Sequence, residues 1–218
     1  MDPNKYWEDP YENFFEKANF RTLDGQRITR VNFCKFYGQC WFLKEESDAM
    51  WRIYSDPHNL ENVGIKVTSK AGKLLTTLSK NMDRDYAHIS AFIGKVTYMD
   101  QQKINDIINN PNVTSPAVFS NDNKAHAEMF ILKREPYSHE EEVRLMYFSS
   151  KDNEKKHDLI NFPFDPNDIF EEMIIDPRVE EYQFTEIEKR IKSCGYQGSI
   201  LKSTIYGEPQ LNGVVAIP

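Results

Sequence analysis

The apolar residues of this chain come in short runs, and proline corners punctuate them. Pro57, Pro111, Pro116, Pro163 and Pro166 read as turns spaced along the whole length. No stretch approaches the ~20 apolar residues that a membrane span needs. No repeat, low-complexity tract or Gly/Ser linker interrupts the spacing, so the expectation is one domain over 1–218. The hydrophobic fraction is only 39%, but 14 Phe, 11 Tyr and 3 Trp supply large buried areas per residue. A folded core follows, and global disorder does not.

Periodicity then assigns the elements. Residues 11–18 place Tyr11, Phe14, Phe15 and Ala18 at helical spacing. Leu23-Asp24-Gly25-Gln26 reads as a turn. Strands are expected at 36–43, 64–69, 89–98, 140–148 and 199–205, the second from the alternation of Ile65 and Val67 with Lys66 and Thr68. Helices are expected at 47–54, around Leu74, Leu75 and Leu78, after a cap at Asp100, and at 185–194. The last carries a capping box, Thr185 with Glu188, and a stop at Gly195. Residues 169–175 read as a short helix running into a strand. Strands and helices interleave but the helices are short. The expected class is α+β: a central mixed or antiparallel sheet with short helices.

Charge and cysteine content narrow the function. Net charge is −7, from 34 acidic and 27 basic residues. This disfavours loose binding along nucleic acid, where phosphate neutralisation supplies most of the affinity. A local basic cleft of Lys133, Arg134 and Arg144 remains compatible with it. Cys34, Cys40 and Cys194 are too few and odd in number for a disulfide framework, which suits a reducing compartment. The first residues contain no apolar run of a signal peptide, and the expected location is cytoplasmic. The five histidines are scattered without ligand spacing, so no metal site is expected. No phosphate-binding glycine loop is present, and no cysteine-nucleophile signature.

The richest segment is Ser138-His139-Glu140-Glu141-Glu142-Val143-Arg144-Leu145-Met146-Tyr147. Read as a strand, period two puts Glu141, Val143, Leu145 and Tyr147 on one face. Glu140, Glu142, Arg144 and Met146 share the other. Two carboxylates and a guanidinium then project into one space, and the Arg lowers the pKa of Glu142. Such a pair suits an oxocarbenium-like sugar cation, one acid stabilising it and the other orienting a nucleophile. The alternative is a sheet edge carrying solvated charge. Thr68 and Ser69 end a strand and either place hydroxyls at a sheet mouth or cap the next helix. Trp51 and Tyr54 are aromatic platforms for a base or nicotinamide, with Arg52 paired to Asp48 at i, i+4. Trp41 of the same segment is a third such ring; core packing is the favoured alternative for Trp41 and an open one for Trp51.

Two resemblances attach to these residues. The runs Tyr6–Asn13, Cys40–Ser55, Gly64–Ser69, Gly94–Tyr98 and Lys133-Arg134 with His139–Leu145 are similar to those of a large, poorly characterised bacterial family often associated with anti-phage defence. Locally, Glu140-Glu141-Glu142-Val143 resembles the Glu-x-Glu strand of arginine–serine–glutamate ADP-ribosyltransferases. That resemblance implies that Glu142 binds the ribose of NAD and stabilises the cation, while Glu140 positions the acceptor. Thr68-Ser69 stands in the order of the serine motif, although Lys70 follows it. Arg21, Arg27 and Arg30 are candidates for the arginine.

The function expected is cleavage of an N-glycosidic bond. One version excises a base, plausibly a modified base of phage DNA, needs no cofactor, and flips its target onto Trp51, Tyr54 or Tyr147. The other uses NAD as substrate and moves ADP-ribose to an acceptor or to water. The competing expectation is a non-catalytic sensor that holds a nucleotide or a partner. A nuclease is disfavoured because no metal-carboxylate motif is present.

Overall fold

The computed structural model describes all residues except 3–5, 8, 10, 13, 29–34, 83–89, 120–122, 150–155, 210 and 215–218. Cys34, Arg30, His88 and Ile89 lie outside the described residues, as do parts of the run Tyr6–Asn13. The fold is α+β, with short helices between the strands of three small sheets. Contacts divide the chain into two compact units: Met1–Lys44 with Ala71–Pro163, and Glu45–Lys70 with Phe164–Pro218.

The first unit is built on β1 (Lys35–Phe42), β3 (Ala91–Lys95) and β6 (Glu142–Ser149). β6 lies between the other two and is antiparallel to both. A central strand must bury both faces, and β6 alternates accordingly. Met146 and Phe148 pack with Phe36 and Phe130 on one side. Leu145 and Tyr147 pack with Tyr37 and with Leu78 of α3 (Ala71–Lys80) on the other. Gly38 is required in β1, because a Cβ there would stand 2.8 Å from the Trp7 ring. A parallel pair, β4 (Thr97–Met99) and β5 (Leu132–Arg134), places Tyr98 opposite Lys133. Three helices, α4 (Gln101–Ile108), α5 (Pro111–Phe119) and α6 (Lys124–Phe130), deliver Ile104, Ala117 and Met129 to a core shared with Phe14 and Phe15 of α1 (Phe14–Lys17). Asp100 caps α4, its side chain accepting from the Lys103 N–H at 2.9 Å.

The second unit is the mixed sheet β2-β7-β8, from β2 (Ile65–Ser69), β7 (Phe170–Ile175) and β8 (Ser199–Lys202). β2 is antiparallel and β8 parallel to β7. Helix α8 (Glu181–Ser193) lays Ile187 and Ile191 on Met173, Ile175 and Val179. The unit also holds α2 (Asp48–Tyr54), capped by Ser47, and α7 (Pro166–Ile169), which runs into β7.

Four local expectations are corrected. Pro111 and Pro116 are not turns: α5 starts at one and contains the other, and proline at a first turn gives up a donor that has no partner anyway. The strand expected over 89–98 breaks at Val96, whose N–H bonds to the Glu142 carbonyl at 2.8 Å. Helix α8 begins at Glu181 with a capping box of Glu180 and Gln183, and the Thr185 hydroxyl instead donates to the Glu181 carbonyl inside the helix. β6 begins at Glu142; Glu140 belongs to a preceding 3₁₀ turn (Glu135–Glu140).

Candidate active site

The residues of interest gather in the first unit, at the start of β6. Glu141 has φ +44°, an unusual conformation for a side-chain-bearing residue, and there the 3₁₀ turn ends and the strand starts. Strand parity therefore does not govern Glu140. The turn carries it instead to Lys133 of β5, whose ammonium donates to Glu140 Oε2 at 2.5 Å. The same ammonium donates to Glu142 Oε2 at 3.0 Å and stands 3.0 Å from Glu12 Oε1. The ammonium thus bonds two carboxylates and is ion-paired with a third.

Arg144, two residues along β6 from Glu142, completes the network. Its Nε donates to Glu142 Oε1 at 2.7 Å and its Nη2 to Glu142 Oε2 at 3.1 Å. Nη2 also reaches Glu12 Oε1 at 2.7 Å, and Nη1 donates to the Phe130 carbonyl at 2.6 Å. The guanidinium lies 3.9 Å from the centre of the Trp7 ring. Glu142 and Arg144 are each 1% exposed. A neighbouring pair, Arg134 and Asp9, is bidentate, and Tyr11 stacks on that guanidinium at 4.4 Å.

Burial opposes ionisation of Glu142, but the donors from Arg144, Cys40 and Lys133 outweigh it and hold the carboxyl below its ordinary value. Burial works against the Lys133 ammonium too, yet Glu140, Glu142 and Glu12 raise it. Cys40 sits opposite Arg144 in the β1–β6 register, on the strand face that Glu142 shares. Burial first, and the Glu142 carboxylate second, push that thiol well above its usual range. Glu142 thus accepts two donors from Arg144 and one from Lys133, three of a carboxylate's ~four lone-pair sites. Its backbone N–H donates to the Tyr98 hydroxyl at 2.9 Å.

Two features of the cluster bear on chemistry. Glu12, Glu140 and Glu142 face Lys133 and Arg144, so three formal negative charges meet two positive ones, a surplus of one carboxylate. Exposure is also graded: the side chain of Glu140 is 14% exposed against 1% for Glu142. The expected basic cleft of Lys133, Arg134 and Arg144 is therefore corrected. Each cation faces acids of its own chain, because a buried cation without a counterion would be prohibitively desolvated.

The other sequence candidates lie elsewhere. Tyr147 occupies the opposite face of β6 from Glu142, stacked on Tyr37 and edge-on to Phe162 at 5.3 Å. Thr68 and Ser69 belong to β2 of the second unit, where the Ser69 hydroxyl donates to the Ile169 carbonyl at 2.8 Å. Trp51 is 5% exposed there, its indole N–H on Glu46 at 3.0 Å. Arg52 pairs with Asp48, and Tyr54 is exposed. The second unit has its own buried ion pair. Asp176 is fully buried and accepts from Arg178 Nε and Nη2 and from the Ser55 hydroxyl. It also has an apolar concavity lined by Val67, Phe170, Met173, Ile191 and Tyr196. Glu12, Trp7, Cys40 and Tyr98 were not singled out by spacing, because only the fold brings them to β6.

Residues 50–145 match the model of a protein family described as "Protein of unknown function (DUF2971)". The matched stretch contains Tyr98, Lys133, Glu140, Glu142 and Arg144, but not Glu12. No curated protein and no solved structure shows significant similarity to the chain. Among the described residues, no helix is long and apolar enough to cross a membrane.

Proposed function

We propose that the cluster around Glu140 and Glu142 cleaves an N-glycosidic bond through an oxocarbenium-like transition state. NAD is the favoured donor, in the manner of an ADP-ribosyltransferase or NAD glycohydrolase. Excision of a base from nucleic acid, including modified phage DNA, is the same chemistry on another leaving group. The setting is cytoplasmic, and the resemblance to a defence-associated family suggests an anti-phage role.

One observation carries this reading: the surplus carboxylate in an enclosed ion network. A network serving packing alone would be served best by balanced charge. A standing negative excess stabilises positive charge developing at C1′, and a preorganised, poorly solvated site makes such stabilisation strong. Glu142 supplies fixed charge, held by Arg144 and Lys133. Glu140, nearer to solvent, takes a proton from the attacking water or acceptor. The new bond to C1′ forms as the C1′–N bond breaks, and its electron pair leaves with the nitrogen. Nicotinamide departs neutral and needs no proton, which favours NAD over an ordinary base.

The test is incubation of purified protein with NAD and, separately, with plain and modified duplex DNA. Free nicotinamide, free base and abasic sites are measured. Nicotinamide release is expected, with Glu140→Gln lowering the rate by about 10²-fold or more while near-UV circular dichroism stays unchanged. Silence in every channel rejects the enzyme.

A second reading is favoured by the enclosure of Glu142, which accepts three donors of its own chain and is 1% exposed. On that view the cluster organises a non-catalytic nucleotide- or partner-binding module. It expects nucleotide binding without turnover.

A further inference from the structure

We infer that the Tyr98 hydroxyl and the unengaged carboxylate oxygen of Glu140 form a donor–acceptor pair for the vicinal hydroxyls of a ribose. The inference rests on the reading above for the site's use, and it names the sugar that the site selects: ribose, not deoxyribose.

The argument is an inventory of hydrogen-bonding capacity. Lys133 donates to Glu140 and Glu142 and is ion-paired with Glu12, its side chain 8% exposed. Arg144 donates to Glu142, Glu12 and the Phe130 carbonyl, and Trp7 covers its face. Glu142 accepts three donors and, with its side chain 1% exposed, is closed to a ligand. Two groups retain capacity. Tyr98 accepts the Glu142 N–H at 2.9 Å, and its own proton goes to no other group among the described residues. Glu140 engages Lys133 through Oε2, leaving Oε1 without a donor among the described residues.

Tyr98 stands opposite Lys133 in the β4–β5 register, and Glu140 is bonded to Lys133 directly. Neither is sealed off: Tyr98 is half-buried and the Glu140 side chain is 14% exposed. Burial, with the Glu142 and Glu140 carboxylates, raises the phenol above its usual range, so it stays protonated and donating near neutrality. A carboxylate that accepts beside a phenol that donates matches a diol, in which one hydroxyl gives and its neighbour receives. A site built to bond a hydroxyl discriminates strongly against an analogue that lacks it.

The experiment titrates ADP-ribose, and analogues lacking the 2′- or 3′-hydroxyl of its terminal ribose, into wild type, Tyr98→Phe and Glu140→Gln by calorimetry. Near-UV circular dichroism checks the fold. Wild type is expected to prefer ADP-ribose over at least one deoxy analogue. Tyr98→Phe should weaken ADP-ribose by about 3- to 10-fold while leaving that analogue's affinity unchanged. Loss of the acceptor for the Glu142 N–H would weaken every ligand alike, so equal losses overturn the inference. Failure of wild type to bind ADP-ribose, or to distinguish it from both analogues, also overturns it, even if Tyr98→Phe does not fold. NAD is incubated in parallel. Intact NAD alongside the expected binding pattern rejects the catalytic reading and leaves the ribose site standing.

Discussion

Replacing Arg144 with methionine removes a guanidinium that is 1% exposed and leaves a chain of similar length. Glu142 loses two donors, at 2.7 and 3.1 Å, and Glu12 loses one at 2.7 Å. The Phe130 carbonyl loses its partner at 2.6 Å, and Trp7 loses the cation on its face. Breaking a buried pair by deleting one member costs about 3–5 kcal/mol, because the remaining charge stays desolvated. Lys133 still donates to Glu142, and methionine packs well against an indole, so the sum stays near that range. Against a total stability of about 5–15 kcal/mol, this is a large fraction.

The pH dependence sharpens the test. In the wild type Glu142 has a folded value below its ordinary 4.5, so its stabilisation is complete above that pH and is lost as pH falls through the folded value. Arg144→Met removes the donors that chiefly offset burial, so the folded value is expected to rise; once above 4.5 the sign inverts, and stability is penalised at neutral pH and relieved as Glu142 gains a proton. Urea unfolding followed by tryptophan fluorescence at pH 7 and pH 5 measures both. A loss of about 3–5 kcal/mol at pH 7 that narrows at pH 5 is expected. A loss below about 1 kcal/mol, or a gap that widens on acidification, refutes the reasoning.

Gly38→Ala places a methyl 2.8 Å from the Trp7 ring and forces it off the Arg144 face; urea unfolding should show a loss of about 1–3 kcal/mol. In the second unit, Asp176→Asn removes the acceptor for Arg178 and Ser55, with an expected loss of about 2–4 kcal/mol at pH 7 by the same assay. Burial raises Asp176, but its donors outweigh that and lower it, so its stabilisation is present above its ordinary 3.8 and fades on acidification; the variant should lack that component. Cys40 and Cys194 are both exposed, so iodoacetamide at pH 8 with peptide mass spectrometry separates them by thiolate fraction: Cys40 should label more slowly, and Glu142→Gln should accelerate it because a nearby negative charge is gone.

Elements with a strong local signal were legible in the sequence. The alternation of Ile65 and Val67 gave β2, the Leu74–Leu78 spacing gave α3, and Asp100 gave the start of α4. Where two local signals compete, reading fails. Thr185 with Glu188 resembles a helix start, but Glu180 with Gln183 forms one earlier, and a helix extends until its first workable cap. Pro116 is a turn signal on its own, yet Thr114 and Ala117 of the same helix are buried and hold α5 together. Glu142 and Arg144 fell on one face because they lie in a true strand with period two. Glu12 was invisible as a member of the site. Nothing in spacing links position 12 to position 144; the link exists only once α1 and its flanking chain pack beside β6.

The two acids that the sequence treats as near equivalents differ in the folded protein, and the backbone is the reason. Glu142 opens the central strand, paired with Phe42 of β1 and holding the Val96 N–H on its carbonyl, and its side chain, 1% exposed, needs the donors of Arg144 and Lys133 to stay charged there. Glu140 precedes the positive φ of Glu141 and so escapes the strand's alternation. It reaches the cluster from the rim with one oxygen engaged and one not. On the proposed reading, a group arriving from solvent meets Glu140 and Tyr98 first, while Glu142 acts through its field. A field holds its value while a ligand comes and goes, whereas a contact must be remade each time. If the site does chemistry, the fixed charge belongs to the strand and the proton traffic belongs to the turn.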